Sequence, residues 1–255
     1  PMSSTRILQA LLLIFSLSTL LSACARENAT APAKPAMNDP NVQLDTIVLG
    51  MGCFWGAEKR MSEVTGVVDV ESGYANGDIE GSYQAILAHE RAMRSGKTSK
   101  RNHAEVVMVT FDPARTTLET VLIKFWESHD PTQGDRQGND VGSNYRSAIY
   151  THSQAQQEVA LKTRDGYQQA LTKAGRGTIT TEIAPLKKYT PAEAYHQDYL
   201  KKNPQGYCGL GGTGVISGNF TRSEAQALAD AINAGLPAPL ELAEVRAIDA
   251  ASPPM

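Results

Sequence analysis

DTIVLGMGCFWGAEKRMSE, residues 45–63, decides how the rest of the chain is read. Asp45 to Gly50, with its apolar run Ile47-Val48-Leu49, has the pattern of a buried strand, and Ala57 to Glu63 reads as the helix that follows it. Between them lie two glycines, a cysteine and two large aromatics. Cys53 therefore falls at a strand-to-helix turn, where unpaired N–H groups and the helix dipole favour a thiolate. Gly52 and Gly56 keep side chains away from an approaching atom, and Phe54 and Trp55 wall the sulfur with apolar surface. Phe54 and Trp55 could equally be plain core, which is usual at a helix start. The bracketing glycines favour a site built around a nucleophile.

Outward from this junction the same alternation continues. Further strands are expected at Val67–Ser72, Ala104–Phe111, Ser147–Thr151 and Thr178–Ile183. Helix starts are marked by capping boxes: Thr116 with Glu119, Ser153 with Gln156, Thr190 with Glu193 and Thr221 with Glu224. Pro191 suits the first helical position of its segment. Interleaved strands and helices of ordinary length predict an α+β domain, a two-layer α/β sandwich with a mixed sheet. There is no tandem repeat.

The termini differ from this body. Arg6 precedes an apolar run from Ile7 to Leu21, too short and too interrupted to span a bilayer well, ending in Leu21-Ser22-Ala23-Cys24. That tetrad resembles a bacterial lipobox. Residues 1–23 are thus expected to be a lipoprotein signal peptide and Cys24 the lipidated N-terminus. An ordinary signal peptide with a chance cysteine is the plainer alternative. Residues 24–41 read as a flexible tether, 42–219 as the catalytic domain, and 220–255 as a C-terminal helix and loose tail. The chain has 255 residues, and 24 basic against 27 acidic side chains give a net charge of −3. That balance points to neither nucleic acid nor an acidic partner.

With Cys24 consumed, Cys53 and Cys208 remain of the three cysteines. In an exported protein a structural disulfide is the default expectation. Cys208 lies in NPQGYCGLGGTG, residues 203–214, whose glycines formally satisfy the dinucleotide fingerprint. The context rejects it, because no strand precedes it and no helix opens at its end. The glycines instead make a pliable segment that could carry a thiol to a distant sulfur. The five histidines are scattered, without a ligand pair at helical spacing, so no metal is expected.

In order along the chain, GCFWGAE, HAEVV, HDPTQGDRQGNDVGSNYRSAIY, AEAYHQDYL and NPQGYCGLGGTGV closely resemble the A-type peptide methionine sulfoxide reductases. The similarity spans about Thr46 to Val215. It implies a ferredoxin-like plait, a coil-rich C-terminal segment, and reduction of the S epimer of methionine sulfoxide. By resemblance, Cys53 is the nucleophile that becomes a sulfenic acid, Glu105 the acid, and Tyr83 and Tyr145 the hydroxyl donors to oxygen. Phe54 and Trp55 would receive the methyl group, with Asp140, His196 and Tyr199 lining the pocket. Cys208 would resolve the sulfenate as a disulfide, returned to dithiol by an external thioredoxin-like reductant. The resemblance implies no bound cofactor, oxidised proteins or peptides as substrates, and a monomer. With the lipobox, it places the enzyme on the periplasmic face of the cell envelope, at the outer membrane.

The residues themselves agree with that chemistry. A sulfoxide accepts a thiolate only when its oxygen is protonated or strongly hydrogen-bonded. A carboxyl on a buried strand, as Val106 and Val107 after Glu105 suggest, holds its proton near neutrality. His196 could as well be a satisfied structural histidine. Two departures from the family pattern stand out. Asn102 replaces a glycine before HAE, and a basic insertion, Leu87–Arg101, reads as a solvated loop, with a substrate- or membrane-facing patch as the sharper alternative. A thiol peroxidase would want polar groups beside the sulfur, and a cysteine hydrolase would leave Cys208 without a role. A non-enzymatic lipoprotein with a static disulfide is the remaining rival.

Overall fold

The computed structural model describes residues 43–217. Strand β1 (Asp45–Met51) runs into helix α1 (Phe54–Ser62), which crosses over to β2 (Val67–Ala75). Helix α2 (Tyr83–Arg94) precedes β3 (Ala104–Phe111), and α3 (Leu118–Ser128) follows it. After the short hairpin β4 (Arg136–Gln137) and β5 (Asp140–Val141), a 3-10 turn (Ser143–Tyr145) leads into β6 (Ser147–Thr151). Helix α4 (Gln154–Lys173), β7 (Glu182–Pro185), β8 (Tyr189–Pro191) and the single turn α5 (Tyr199–Lys202) complete the described chain.

The main sheet has the order β7-β6-β1-β3-β2-β8. β3 lies between β1 and β2, and β1 between β3 and β6, antiparallel at each step. These are two interlocked split βαβ units, the ferredoxin-like plait. β7 joins parallel to β6 and makes the sheet mixed.

Strand alternation sorts the side chains. Ile47, Leu49 and Met51 of β1 share one buried cluster with Val107, Val109 and Phe111 of β3 and with Phe54, Phe125 and Trp126 of the helices. Val48, Val106 and Tyr150 form a smaller cluster on the other face. Glu105 stands two residues before Val107, so it points to the helix-covered face, at the start of β3 and beside the start of α1. That placement makes it a buried carboxyl.

Several local expectations shift. Ser153 does cap α4, accepting from Gln156 N. Helix α3 is capped one residue later than expected, by Thr117 accepting from Thr120 N, because Thr116 is buried against Gly66. Thr190 starts no helix. It pairs with Tyr74 in edge strand β8, where Pro191 is tolerated as the last residue. The strand expected at Thr178–Ile183 forms at Glu182–Pro185, since Thr180 N is taken by Pro131 O. The basic stretch Leu87–Arg101 is helical as far as Arg94. The Thr221–Glu224 box, Cys24 and the segments 1–41 and 220–255 lie outside the described residues.

Candidate active site

Cys53 is the residue before the first turn of α1 and is 8 % exposed. Gly52 must precede it, because its φ is +96° and a Cβ there would lie 2.6 Å from Gln137 Cβ. The local rule predicts a thiolate at this position, and the structure corrects it. Burial, then the nearby Glu105 carboxyl, pushes the thiol up, and the backbone N–H groups of Trp55 and Gly56 offset this only in part. The resting sulfur carries its proton.

Glu105 is 2 % exposed. Its Oε1 accepts from Asn144 Nδ2 at 3.1 Å, and its Oε2 from Phe54 N at a long 3.4 Å. Burial raises its pKa to about 8 against these two bonds, with a further push from Asp140. Near neutrality the carboxyl is mostly protonated and buried beside the thiol.

The structure brings the other expected residues to this pair. Burial and then the Glu105 charge raise the Tyr83 and Tyr145 phenols, so both stay O–H donors. Burial also raises the Asp140 carboxyl, which accepts from Tyr207 O–H at 3.2 Å. Phe54 and Trp55 meet His196 with ring centroids 4.9 and 5.7 Å away, and Tyr83 packs edge-on against it at 4.8 Å. Tyr199 stacks on Trp55 at 3.7 Å.

His196, 2 % exposed, accepts the Trp55 indole N–H at Nδ1 over 3.0 Å, so its proton sits on Nε2. Nε2 is buried without a hydrogen-bond partner, 3.9 Å from Glu193. Burial holds the imidazole below its ordinary pKa, although Glu193 opposes this. A neutral ring locked to the indole is a wall, not a base.

Cys208 is exposed, and both cysteines are free thiols. Its Sγ packs on α1 against Gly56, where a Cβ would lie 3.1 Å from the sulfur and 2.8 Å from Leu210 Cγ. The second thiol therefore rests on the helix that starts at the first. The segment is less pliable than its glycines suggest. Leu210 is buried and its carbonyl accepts from Arg60, Tyr167 O–H bonds Thr213 and the Val215 carbonyl, and Ser217 N donates to Glu127. An open cleft of about 420 Å³ reaches Cys208 from outside, between Lys59, Arg60, Leu200 and Pro204.

Three contributors were not legible beforehand. Asn144 holds Glu105, and nothing distinguished it within its block. Glu193 accepts from Tyr83 N at 2.9 Å and from Tyr74 O–H at 2.8 Å. Its spacing from Thr190 had suggested a cap. Tyr74 itself pairs with Glu105 across β2 and β3. Among the described residues no three His, Cys, Asp or Glu side chains converge as a metal site.

The sequence family described as peptide methionine sulfoxide reductase matches residues 45–222. Peptide methionine sulfoxide reductase MsrA 1 of Synechocystis is 51 % identical over 173 residues, 68 % of this chain and 73 % of that protein. MsrA of Vibrio parahaemolyticus is 54 % identical over 170 residues, 66 % of this chain and 76 % of the other. Among solved structures, methionine sulfoxide reductase A of Corynebacterium diphtheriae superposes with TM-score 0.56 at 44 % identity, covering 65 % of this chain and 77 % of its own. Reduced Mxr1 of Saccharomyces cerevisiae gives TM-score 0.57 at 34 % identity, covering 67 % and 91 %.

Proposed function

The chain belongs to the peptide methionine sulfoxide reductase family and is an enzyme of that activity; on that premise we propose that it reduces the S epimer of methionine sulfoxide, protein-bound or free, through Cys53. One observation carries the proposal: the buried Glu105 carboxyl accepts from Phe54 N at the start of the helix that the buried Cys53 thiol precedes, a setting that raises the pKa of both groups.

The sulfoxide methyl enters against Phe54 and Trp55, with the sulfoxide oxygen toward Glu105, Tyr83 and Tyr145. Glu105 donates its proton to that oxygen while the Cys53 sulfur bonds to it. The S–O bond of the substrate breaks, methionine leaves, and the thiol proton returns to the Glu105 carboxylate. Cys53 is left as a sulfenic acid. The Cys208 thiol attacks that sulfur, expelling water and forming the Cys53–Cys208 disulfide. An external thioredoxin-like dithiol then takes up the oxidation as its own disulfide and restores both thiols. The cleft between Lys59, Arg60, Leu200 and Pro204 leaves Cys208 approachable for that exchange. No prosthetic group has a part in these steps.

Selectivity for one epimer is the expected consequence: an acid and two hydroxyls set against an apolar methyl site would match one handedness at sulfur and mismatch the other. Turnover on the separated epimers of a peptide methionine sulfoxide is the test. Reduction of the S form with little R turnover is expected, and equal rates would refute the proposal.

The N-terminal sequence supports a cellular setting. Cleavage before Cys24 and acylation of that residue would tether the enzyme through residues 24–41 to the periplasmic side of the envelope. Ala25, rather than Asp, after the cysteine favours the outer membrane. The substrates there are oxidised envelope proteins.

A further inference from the structure

Glu90 is a buried acid that the chemistry above leaves unused. It is 9 % exposed and lies on α2, within the stretch whose composition suggested a solvated loop. A buried carboxylate persists only when its oxygens are bonded, and both are. Oε2 accepts from Ser143 Oγ at 2.6 Å and from Asn102 Nδ2 at 3.2 Å, and Oε1 accepts from Arg94 Nε at 3.2 Å. Burial opposes its charge, yet these bonds outweigh burial and hold the carboxyl below its ordinary range.

The Ser143 bond reaches toward the active site. Ser143 opens the 3-10 turn whose next residue, Asn144, is fully buried and donates to Glu105. On the other side of Ser143, Gly142 has φ +153°. A Cβ there would lie 2.6 Å from Asn144 Oδ1 and 3.1 Å from Glu90 Cδ. Arg94 also donates to the Val141 carbonyl. Helix α2 thus bears directly on the backbone that carries Asn144 and Tyr145. Asn144 Oδ1 has no hydrogen-bond partner of its own, so the direction of its amide depends on the turn that carries it. Asn102, in place of the family's glycine, ties the same carboxylate to the approach of β3 and also donates to the Ile86 carbonyl.

We propose that Glu90 is a positioning residue for the catalytic acid: by clamping Ser143 it fixes the 142–146 turn so that the Asn144 amide stays on the Glu105 carboxyl. The kinetic consequence rests on Glu105 being that acid, but the clamp itself does not. The other groups facing Glu105 are Cys53 on α1, Tyr74 on β2, Tyr83 on α2, and Asp140 and Tyr145 around the turn. Opening the clamp removes none of them.

The sign of the effect separates clamping from simple charge. Asn144 favours ionised Glu105, so losing its bond raises the Glu105 pKa, whereas deleting a nearby negative charge lowers it. Carboxyl carbon-13 NMR of the reduced full chain reads this directly, with the Glu105 signal assigned by its loss in Glu105→Gln. From about 8, the midpoint should rise by roughly half to one pH unit in Glu90→Ala and Ser143→Ala, the worth of one hydrogen bond. Glu90→Gln keeps an acceptor for Ser143 and should restore most of the wild-type midpoint. Ser143→Ala keeps Glu90 itself and serves if Glu90→Ala does not fold. An unchanged midpoint in Ser143→Ala, or a fall in Glu90→Ala, overturns the proposal. If the midpoint rises while the alkaline limb of kcat/KM stays still, the clamp stands and Glu105 loses its role as acid.

Discussion

Replacing Glu105 by glutamine should make the protein more stable at alkaline pH while disabling it. In the folded chain burial raises the Glu105 pKa from 4.5 to about 8. A carboxyl raised on folding contributes stability that is fully present below its unfolded pKa and is lost as pH rises through the folded one. The interval from 4.5 to about 8, at about 1.4 kcal/mol per pH unit, comes to roughly 5 kcal/mol. That is a large part of the ~5–15 kcal/mol that holds a typical domain together. Glutamine keeps the shape and titrates nowhere, so it removes this dependence. Urea unfolding of both proteins from pH 4 to 9 in reductant is the assay, because groups common to both cancel in the difference. Cys53 does not interfere, since its thiol is pushed above its ordinary 9.0 in the fold. The glutamine variant should gain on wild type progressively above pH 4.5 and level off beyond 8. Its single-turnover sulfenate formation should fall by roughly 10²–10⁴-fold, the usual worth of a general acid. Parallel stability curves would show that Glu105 ionises as an ordinary carboxyl, and the reasoning about a stored proton would fail.

Two further outcomes follow. Cys208→Ser should release about one equivalent of methionine per protein and then stall with a thioredoxin-like donor, because oxygen transfer precedes resolution; cycling at the wild-type rate would remove Cys208 from the relay. Detergent-free fractionation of a native extract should find the mature chain with membranes through Cys24, and a wholly soluble mature protein would contradict lipidation.

The strands β3 and β6 were legible because their signals are local, and so was a helix after Cys53, although it opens at Phe54 rather than at Ala57. Apolar runs buried on both faces announce Ala104–Phe111 and Ser147–Thr151 within one or two turns of chain. The Ser153 cap needs only the residue three positions on. Thr190 and Glu193 show the limit of that reasoning. Their spacing fits a cap, but edge pairing with Tyr74 claims Thr190, while Tyr83 and Tyr74 claim Glu193. The basic composition of Leu87–Arg101 hid a buried acid, because nothing near Glu90 in the chain reveals Ser143 as its partner.

Sequence by itself determined the interleaved strands and helices of a two-layer sandwich, the cysteine at the turn, and the acid on the buried face of β3, since each depends on residue order over short spans. The plait came only as what the family resemblance implies, because its strand order rests on long-range pairing. Tertiary structure alone decided the protonation and orientation of the site. A helix start favours a thiolate, but burial and a carboxyl from β3 reverse that preference at Cys53. The His196 tautomer is set by Trp55, 141 residues away. Cys208 and Leu210, from the far end of the described chain, both pack on Gly56. Charge state and hydrogen-bond direction depend on what surrounds a group in space, and in this fold those surroundings come from distant parts of the chain.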